Sequence, residues 1–398
     1  MKHRIVVLGA GYAGAAAAGR LAKRLHRDDV ALTLVNAEPD FVERIRLHQL
    51  AVGQEPTSRP LAGMLAGTGV ELEVGRVTAV DVDRKAVAVH GADGARELSY
   101  DTLVYALGSG WHGQGVPGTA EHAHELAGRP GALRLRARLA ELGAGQPVVV
   151  VGGGLTGLEA VTEIAESRPD LTVRLVAHGG LGDWLSAKGR GHVRRVLDRL
   201  GVTVYENTDV TAVEADRVRT ADGTDIPAAV TVWSAGFAVH PIAAATTLEV
   251  SATGQIAVDA TMRSLSHPDV YAVGDAALAP GPGDKPLRMS CASGGPTAWQ
   301  AADAIAARLT GQRIPTVPIR YYGQCVSLGR ADGLVQFVTA DDRAKDSALT
   351  GRTAARTKEL ICKAAAWGVS NPTLGLPVRR RRVTAEAAHT VPAAQASA

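Results

Sequence analysis

Short apolar runs alternate with stretches of helical periodicity along most of the chain. Residues 4–9 (RIVVLG) form a β-branched run, an alanine-rich stretch with helical spacing continues to Leu25, and VALTLVN supplies the next run. The same order returns later as PVVVV, a helix reaching about Ser167, and LTVRLVA. Apolar runs of this length between helices predict buried parallel strands in βαβ units. The pattern therefore predicts an α/β fold with two similar halves.

Both predicted strand–helix joints carry glycines in the spacing G-x-G-x-x-G. The glycines are Gly9, Gly11 and Gly14 in the first joint, and Gly152, Gly154 and Gly157 in the second. One glycine permits the tight turn, one lets the backbone approach a pyrophosphate, and one lets helix and strand pack closely. The phosphates then lie at the positive end of the helix. The alternative interpretation is two ordinary glycine-rich turns, but two copies favour two dinucleotide sites, with hydride passing between a nicotinamide and a flavin.

Three further strands end in small residues and glycine, in the segments YDTLVYALGS (100–109), VTVWSAGF (230–237) and SHPDVYAVGDAA (266–277). Together with GAGYAG and GGGLTGLE, these segments resemble the two-dinucleotide flavoprotein superfamily. The T-G-L-E at residues 156–159 resembles the T-G-V-E of type II NADH dehydrogenases, and PDFVERIRLHQLA resembles the loop that passes the flavin in those enzymes. The chain has no closely spaced cysteine pair and no cysteine before Cys291, which argues against disulfide reductases and sulfide:quinone reductases.

The resemblance implies two Rossmann-like domains, one inserted in the other. The FAD-binding domain would comprise residues 1–112 and 241–312, and the NAD(P)H-binding domain residues 113–240. Residues 313–398 would form a C-terminal α+β interface region with a basic tail, in which RYYGQCVSLGRADGLVQFV predicts a hairpin around residues 331–333.

The resemblance also assigns cofactor contacts, with NADH or NADPH at the second site. The residues predicted to bind FAD are Gly9, Gly11, Tyr12, Ala13, Gly14, Asn36, Arg44, His48, Val77, Ala106, Gly108, Gly274 and Asp275. The residues predicted to bind the nicotinamide nucleotide, or to lie where backbone approaches a cofactor, are Gly152, Gly154, Leu155, Thr156, Gly157 and Gly236. Glu159 would lie between the two rings as the candidate catalytic residue, with a role in proton handling or nicotinamide placement. Asp275 would bind the ribityl chain, or alternatively cap the following helix.

Several of these candidate residues can also be explained without a role in cofactor or metal binding. Asn36 stands where a Rossmann site usually presents an acid to the ribose. Arg44, Arg46 and His48 are either solvated loop charges or groups near the flavin. His122 and His124 have a spacing that suits a metal, but nothing completes a ligand set, so we expect a solvated linker and no metal site.

Two departures from the family pattern limit the assignment of substrates. Ala177 replaces the acid that selects NADH, which makes NADPH plausible with His178 or Arg190 as its partner. Trp299 and Asp303 stand where the dehydrogenases have glutamines that border the quinone pocket. The expected acceptor is therefore a quinone or another planar organic molecule, and the alternative is that Trp299 simply fills space beside the flavin.

Composition and charge restrict the partners. The net charge of +3 over 398 residues offers no broad basic surface, so no nucleic-acid partner is expected. Widely spaced cysteines and the absence of a long apolar run favour a cytoplasmic protein. The helical stretch from residue 351 has Leu360, Ile361, Ala364, Ala365 and Gly368 on an apolar face. We expect this face to pack on the protein or on a second subunit of a homodimer, with peripheral membrane contact as the less favoured interpretation.

The sequence thus predicts an FAD-dependent NAD(P)H:acceptor oxidoreductase. Two alternatives remain at this point: a flavoenzyme that acts on an organic metabolite without nicotinamide turnover, and a redox-responsive nucleotide-binding protein.

Overall fold

The structure is a computed structural model that describes residues 1–373 and 380–384. The rest of the predicted basic tail lies outside the described residues. The described strands, in chain order, are β1 (His3–Leu8), β2 (Val30–Asn36), β3 (Val70–Asp81), β4 (Ala86–Gly91), β5 (Gly94–Ser99), β6 (Thr102–Tyr105), β7 (Ser109–Trp111), β8 (Ala123–Glu125), β9 (Pro147–Val151), β10 (Thr172–Val176), β11 (Thr203–Tyr205), β12 (Val210–Val213), β13 (Arg217–Thr220), β14 (Asp225–Pro227), β15 (Val230–Trp233), β16 (Phe237–Val239), β17 (Ile256–Ala257), β18 (Val270–Ala272), β19 (Ala277–Leu278), β20 (Gly323–Ser327), β21 (Gly333–Val338) and β22 (Ala344–Thr350).

The helices occupy both nucleotide halves and the C-terminal region. They are α1 (Tyr12–Arg24), α2 (Leu47–Leu50), α3 (Leu61–Leu65), α4 (Thr119–His122), α5 (Arg129–Ala140), α6 (Leu155–Ser167), α7 (Ala187–Arg199), α8 (Cys291–Leu309) and α9 (Gly351–Ser370). Short 3₁₀ segments occur at Arg44–Arg46, Ala243–Ala245, Gly274–Ala276 and Pro282–Asp284.

The first sheet has the strand order β18-β6-β1-β2-β3-β4-β5. The strands from β18 to β3 pair in parallel, whereas β4 and β5 turn back antiparallel. Helices α1 and α8 pack closely because buried alanines such as Ala17, Ala18, Ala298 and Ala301 line their contact. Since parallel neighbours end at the same edge, the carboxyl ends of β1, β2, β6 and β18 lie together.

The second sheet is parallel throughout, with the strand order β11-β10-β9-β15-β8. Its central strand β9 is apolar and buried from Val148 to Val151, as expected for a strand covered on both faces. The prediction of a solvated linker around His122 and His124 is wrong for His124. This residue lies on the edge strand β8, opposite Val232, because residues 119–125 form α4 and β8.

The C-terminal region is a three-stranded antiparallel sheet, β20-β21-β22, with α9 against it. The predicted hairpin around residues 331–333 is confirmed by the pairing of β20 with β21. Buried Val326, Leu334 and Ala348 share a core with the second nucleotide half. Helix α9 also contacts α1, where a Cβ on Gly19 would lie 2.3 Å from the carbonyl oxygen of Pro372. The region therefore packs against both nucleotide halves.

The apolar face of α9 departs from the expectation. Ala354, Cys362 and Ala366 form the buried face, whereas Leu360 and Ile361 are 67% and 45% exposed. Of the two predicted alternatives, packing on the same chain does not hold for Leu360 and Ile361, whereas packing on a second subunit stays a prediction. Across residues 1–373 and 380–384, no helix combines the length and apolar character needed to span a bilayer.

The described part of the basic tail returns to the first nucleotide half. The backbone amide of Arg381 donates to the carbonyl of Arg24, and the guanidinium of Arg382 lies 2.8 Å from Asp29. These contacts fix the arginines on the protein surface beside the end of α1.

Candidate functional site

The first glycine loop follows β1 and opens α1. Gly9 has φ +93°, and a Cβ there would lie 2.5 Å from the carbonyl oxygen of Ala106. A Cβ on Gly14 would lie 1.8 Å from the carbonyl oxygen of Gly9, so the protein itself requires both glycines. Gly11 differs, because no atom lies within 4 Å of its Cβ position. It is the N-cap of α1 and supplies no side-chain hydrogen bond to the helix.

The second glycine loop, between β9 and α6, repeats this arrangement. Gly152 has φ +123°, and a Cβ on Gly157 would lie 1.8 Å from the carbonyl oxygen of Gly152. The position next to Gly154 is again open, and Gly154 is the N-cap of α6 without a side-chain hydrogen bond. Leu155 and Thr156 begin this helix.

The middle glycine of each loop faces open space, so packing within the protein does not require a glycine at that position. The first backbone N–H groups of a helix lack partners within the helix, and here no side chain caps them. Such a site supplies both room and donors for a pyrophosphate. The residues present thus fit FAD at the first loop and a nicotinamide nucleotide at the second.

Three polar side chains from different motifs meet beside the first loop. The Ser109 hydroxyl donates to Asp275 at 2.6 Å, and Arg44 donates to the Ser109 carbonyl at 2.6 Å. The guanidinium of Arg44 also lies 3.8 Å from the Asp275 carboxylate and 5.5 Å from the Phe237 ring. Burial lowers the pKa of Arg44, although Asp275 opposes this effect. The cluster joins Arg44 of the loop at residues 39–51 to Ser109, which follows β6, and to Asp275, which follows β18.

Two members of this cluster went unrecognised in the sequence. Ser109 and Phe237 each follow the glycine of a predicted motif, Gly108 and Gly236. Their position directly after a strand-end glycine is the signal that could have indicated them. Gly108 and Gly236 both have positive φ, and this backbone conformation by itself explains both glycines.

The remaining residues predicted to bind FAD surround the first loop, with two exceptions. A Cβ on Gly274 would lie 3.1 Å from Ala13, and Ala106 follows β6. The Tyr12 ring packs edge-on against Phe41 with centroids 4.9 Å apart. Val77 lies on the antiparallel part of β3, opposite Val89, and His48 lies elsewhere, beside Glu159.

Asn36 braces the first loop from the end of β2. Its amide oxygen accepts from Ala10 N at 2.9 Å, and its NH₂ donates to the Glu38 carbonyl at 2.8 Å. These bonds explain the asparagine by loop packing, because they use its side chain within the protein.

Glu159 is buried at the contact between α6 and the C-terminal region. Lys358 Nζ and the Ser327 backbone N–H each lie 3.0 Å from Glu159 Oε1, and His48 Nδ1 lies 3.8 Å from Oε2. Burial by itself would raise the pKa of Glu159, but Lys358 together with the other groups around the carboxylate outweighs burial, and the pKa falls below its ordinary value. Burial lowers the pKa of His48 to about 4, so this histidine is neutral at neutral pH. A carboxylate held ionised by an ammonium does not support the predicted proton-handling role.

Charged residues of the flavin-loop segment (residues 39–51) are also buried near this contact. Arg46 is 9% exposed and donates to both Glu359 carboxylate oxygens at 3.0 Å. It also donates to Glu43 at 3.0 Å, and His48 is 5% exposed. The solvated-loop interpretation is therefore wrong for Arg46 and His48.

Residues at the end of β10 border the second loop. Ala177 is buried, and Nδ1 of the exposed His178 is in hydrogen-bond contact with Asp209. Arg190 lies 3.6 Å from Asp183. Both predicted partners of a 2′-phosphate thus already face an acid.

Trp299 and Asp303, predicted to border an acceptor pocket, both contact α1. Asp303 accepts from Arg20 at 2.6 Å and also pairs with Arg24. Arg20 lies 5.8 Å from the Trp299 ring, which is half exposed. Trp299 and Asp303 differ from the glutamines of the family pattern, and their contacts between α8 and α1 give both residues a packing role. Within the described ranges, no group of three or more His, Cys, Asp or Glu residues could hold a metal ion.

Comparison with known families decides the classification. The family described as pyridine nucleotide-disulphide oxidoreductase matches residues 3–306. The chain belongs to this family. Among pyridine nucleotide-disulphide oxidoreductases, it is similar to the NADH dehydrogenase-like protein Rv1812c of Mycobacterium tuberculosis, with 30% identity over 349 residues, covering 82% of this chain and 86% of that protein. The predicted superfamily and NADH dehydrogenase-like group are confirmed.

Two further comparisons extend this result. The demethylphylloquinone reductase NdbB of a Synechocystis species is 27% identical over 355 residues, covering 84% of this chain and 86% of that protein. The structure of NDH2 from Plasmodium falciparum in complex with NADH superposes with a TM-score of 0.79 at 15% identity, covering 93% of this chain and 96% of that one. The predicted α/β fold with two nucleotide-binding halves is confirmed.

Proposed function

We propose that this protein is an FAD-dependent NADH dehydrogenase-like oxidoreductase that passes electrons to a quinone or another planar organic acceptor. The observation that carries the proposal is the repeated glycine loop. In both copies the middle glycine faces open space and the following helix has no side-chain cap.

Each half of the chain contributes a binding surface to this function. Gly9, Gly11 and Gly14 form the FAD loop, and the cluster of Arg44, Ser109 and Asp275 positions the flavin end of the cofactor. FAD supplies hydride acceptance and electron transfer when it is bound. The chain's residues bind and orient the two nucleotides, and this positioning accounts for much of the rate enhancement. The proposed domain limits are 1–112 with 241–312 for FAD and 113–240 for the nicotinamide nucleotide.

Glu159 acts in this scheme as a positioning residue. Its bonds to Lys358 and Ser327 fix the start of α6 against the C-terminal region. The nicotinamide loop directly precedes this helix, so the ion pair helps to hold the loop in position.

NADH is the favoured donor. Asp209 already contacts His178 and Asp183 already pairs with Arg190, so both side chains predicted to bind a 2′-phosphate are engaged with an acid. The name of the Mycobacterium relative and the NADH complex of NDH2 support this choice. The name of the Synechocystis reductase supports a quinone acceptor.

An anaerobic titration tests the proposal. NADH and then NADPH are added to the yellow holoprotein while the flavin absorbance is followed. We expect rapid bleaching by NADH and slower or weaker bleaching by NADPH. An unchanged spectrum with both nucleotides would refute nicotinamide turnover and favour direct action on an organic metabolite.

The cellular setting is a second part of the proposal. The exposed Leu360, Ile361 and Trp367 of α9 give this helix a surface for a second subunit, and we propose a cytoplasmic homodimer. Sedimentation velocity tests the dimer, and flotation with lipid vesicles tests the competing membrane contact.

A further inference from the structure

A cavity of about 400 Å³ lies between the β20–β21 hairpin and the first three turns of α9. Its walls include Ser327, Gly329 and Ala331 from the hairpin, and Ala355 and Cys362 from the helix. A volume in this range suits a small organic ligand.

Positive charge dominates the lining of this cavity. The basic lining residues are Arg330, Arg352, Arg356, Lys358 and Lys363, and the acidic ones are Asp332 and Glu359. Both acids are already paired with cations, and Glu359 lies 3.5 Å from Arg330 and 3.6 Å from Lys363 within the lining itself. Glu359 accepts both bonds from Arg46, and Asp332 pairs with Arg199 at 2.9 Å.

Arg352 and Arg356 are the charges left without compensation. Both are exposed, and within the described part of the chain neither has an acidic partner. They are four residues apart on α9, so they lie on one helix face and repel each other. An anion between them would relieve this repulsion and form charge-assisted hydrogen bonds to guanidinium groups.

The cavity lining is also connected to the helix that follows the second glycine loop. Buried Gln49 of α2 lines the cavity, and so does Lys358, which is paired with Glu159 on that helix. An occupant would therefore touch α2 of the first nucleotide half and the lysine that holds α6.

We propose that this cavity binds the electron acceptor as an organic anion, a planar ring that carries a carboxylate, sulfonate or phosphate group beside Arg352 and Arg356. This inference rests on the proposed function and specifies its acceptor. In the overall reaction NADH gives up two electrons and one proton as hydride, and solvent supplies a second proton. A quinone that receives both electrons and both protons becomes a hydroquinone.

Calorimetry of the holoenzyme with naphthalene sulfonate, which cannot be reduced, tests the binding step. We expect the double variant Arg352→Gln/Arg356→Gln to bind about 10-fold more weakly than the wild type, with the difference shrinking at high salt. Arg313→Gln, at another exposed arginine without an acidic partner among the described residues, should bind like the wild type. Equal affinity in the double variant, or no binding by the wild type, would overturn the proposal.

Steady-state kinetics test the identity of the occupant. The KM for naphthoquinone sulfonate should rise about 10-fold in the double variant, while the KM for uncharged methylnaphthoquinone should change less than about 2-fold. Arginine-dependent binding without this selective change in KM would overturn the acceptor assignment. A wild type that NADH bleaches but that does not bind the sulfonate contradicts this inference alone, whereas a wild type that NADH does not bleach contradicts the proposed function.

Discussion

Lys358 Nζ lies 3.0 Å from Glu159 Oε1, and this contact joins the C-terminal helix to the helix that follows the second glycine loop. Burial opposes the charge on both partners, yet Glu159 raises the pKa of Lys358 and Lys358 lowers the pKa of Glu159. Both groups are consequently charged across the neutral pH range. The pair is a fixed bridge, because neither partner exchanges a proton near neutrality.

Breaking this bridge on one side should be costly. Lys358→Met leaves a buried carboxylate with only the Ser327 N–H as partner, and we expect the free energy of unfolding to fall by about 3 kcal/mol. The double variant Lys358→Met/Glu159→Gln removes the stranded charge and should recover most of this loss. Denaturant unfolding of the holoprotein measures both values. A single variant as stable as the wild type would show that the bridge is not needed.

Glu163 should make the protein less stable as the pH rises. Burial raises its pKa to about 7, and Gln54 donates to one carboxylate oxygen at 2.5 Å while the other oxygen has no partner. The folded-state pKa lies above the ordinary value of 4.5, so stability is fully present below about pH 4.5 and falls as pH rises to about 7.

The variant Glu163→Gln keeps an acceptor for Gln54 and removes the charge. We expect it to be more stable than the wild type by about 2–3 kcal/mol at pH 8 and nearly equal to it at pH 4.5. Unfolding curves at a series of pH values check this difference. The exposed Glu55→Gln serves as the control and should show no such pH-dependent gain. A constant difference between Glu163→Gln and the wild type at all pH values would contradict the assigned pKa.

His48 should have the opposite pH effect. Its pKa in the folded state is about 4 because of burial, against 6.5 for an ordinary histidine. The unfolded chain therefore takes up a proton first as the pH falls, and stability is lost between about pH 6.5 and 4. Between pH 6.5 and 4, we expect the free energy of unfolding to fall by up to about 3 kcal/mol less in His48→Asn than in the wild type. The exposed control His90→Asn should show the same fall as the wild type. The same slope in wild type and His48→Asn would contradict the neutral state of His48.

The two outer positions of the first glycine loop should respond differently from the middle one. Gly14→Ala places a methyl group 1.8 Å from the Gly9 carbonyl, so we expect misfolding or a loss of more than about 3 kcal/mol. Gly11→Ala meets no atom within 4 Å and should leave the apoprotein within about 1 kcal/mol of the wild type while it loses FAD. Flavin absorbance and apoprotein unfolding separate the two effects. FAD retained at wild-type affinity in Gly11→Ala would argue against pyrophosphate at this position.

Asp303 should matter for stability rather than for the acceptor. Asp303→Gln leaves Arg20 and Arg24 without their shared carboxylate, and because both arginines are partly exposed we expect a loss of only about 1 kcal/mol. The KM for the quinone should stay within about 2-fold of the wild-type value. Steady-state kinetics and unfolding of the same preparation check both statements. A lower KM in this variant would place residue 303 at the acceptor site after all.

The two nucleotide-binding halves could be predicted from short sequence patterns. The spacing of Gly9, Gly11 and Gly14 fixes a strand–turn–helix unit by rules that act within a few residues, and the second copy follows the same rules. The hairpin before β21 was similarly visible because its turn residues lie between two apolar runs.

The contacts across the C-terminal region could not be predicted in this way. Nothing near Glu159 in the sequence indicates Lys358, since the pairing depends on how α9 packs against the hairpin. The exposed side of α9 was missed for the same reason: periodicity identifies an apolar face, but the neighbouring sheet decides which face is buried. Similarly, the pairing of Asp303 with Arg20 required knowledge of how α8 lies against α1.

The dependence of Glu159 and Arg46 on partners in α9 has a consequence for biosynthesis. The ribosome makes α6 long before it makes residues 358 and 359, so an unfinished chain carries the Glu159 carboxylate without its lysine and leaves Arg46 with Glu43 as its acidic partner. We expect such a chain to fold poorly, and to be bound by chaperones or cleaved by proteases more readily than the full-length protein. We therefore expect completion of α9 to separate full-length molecules from truncated ones during folding.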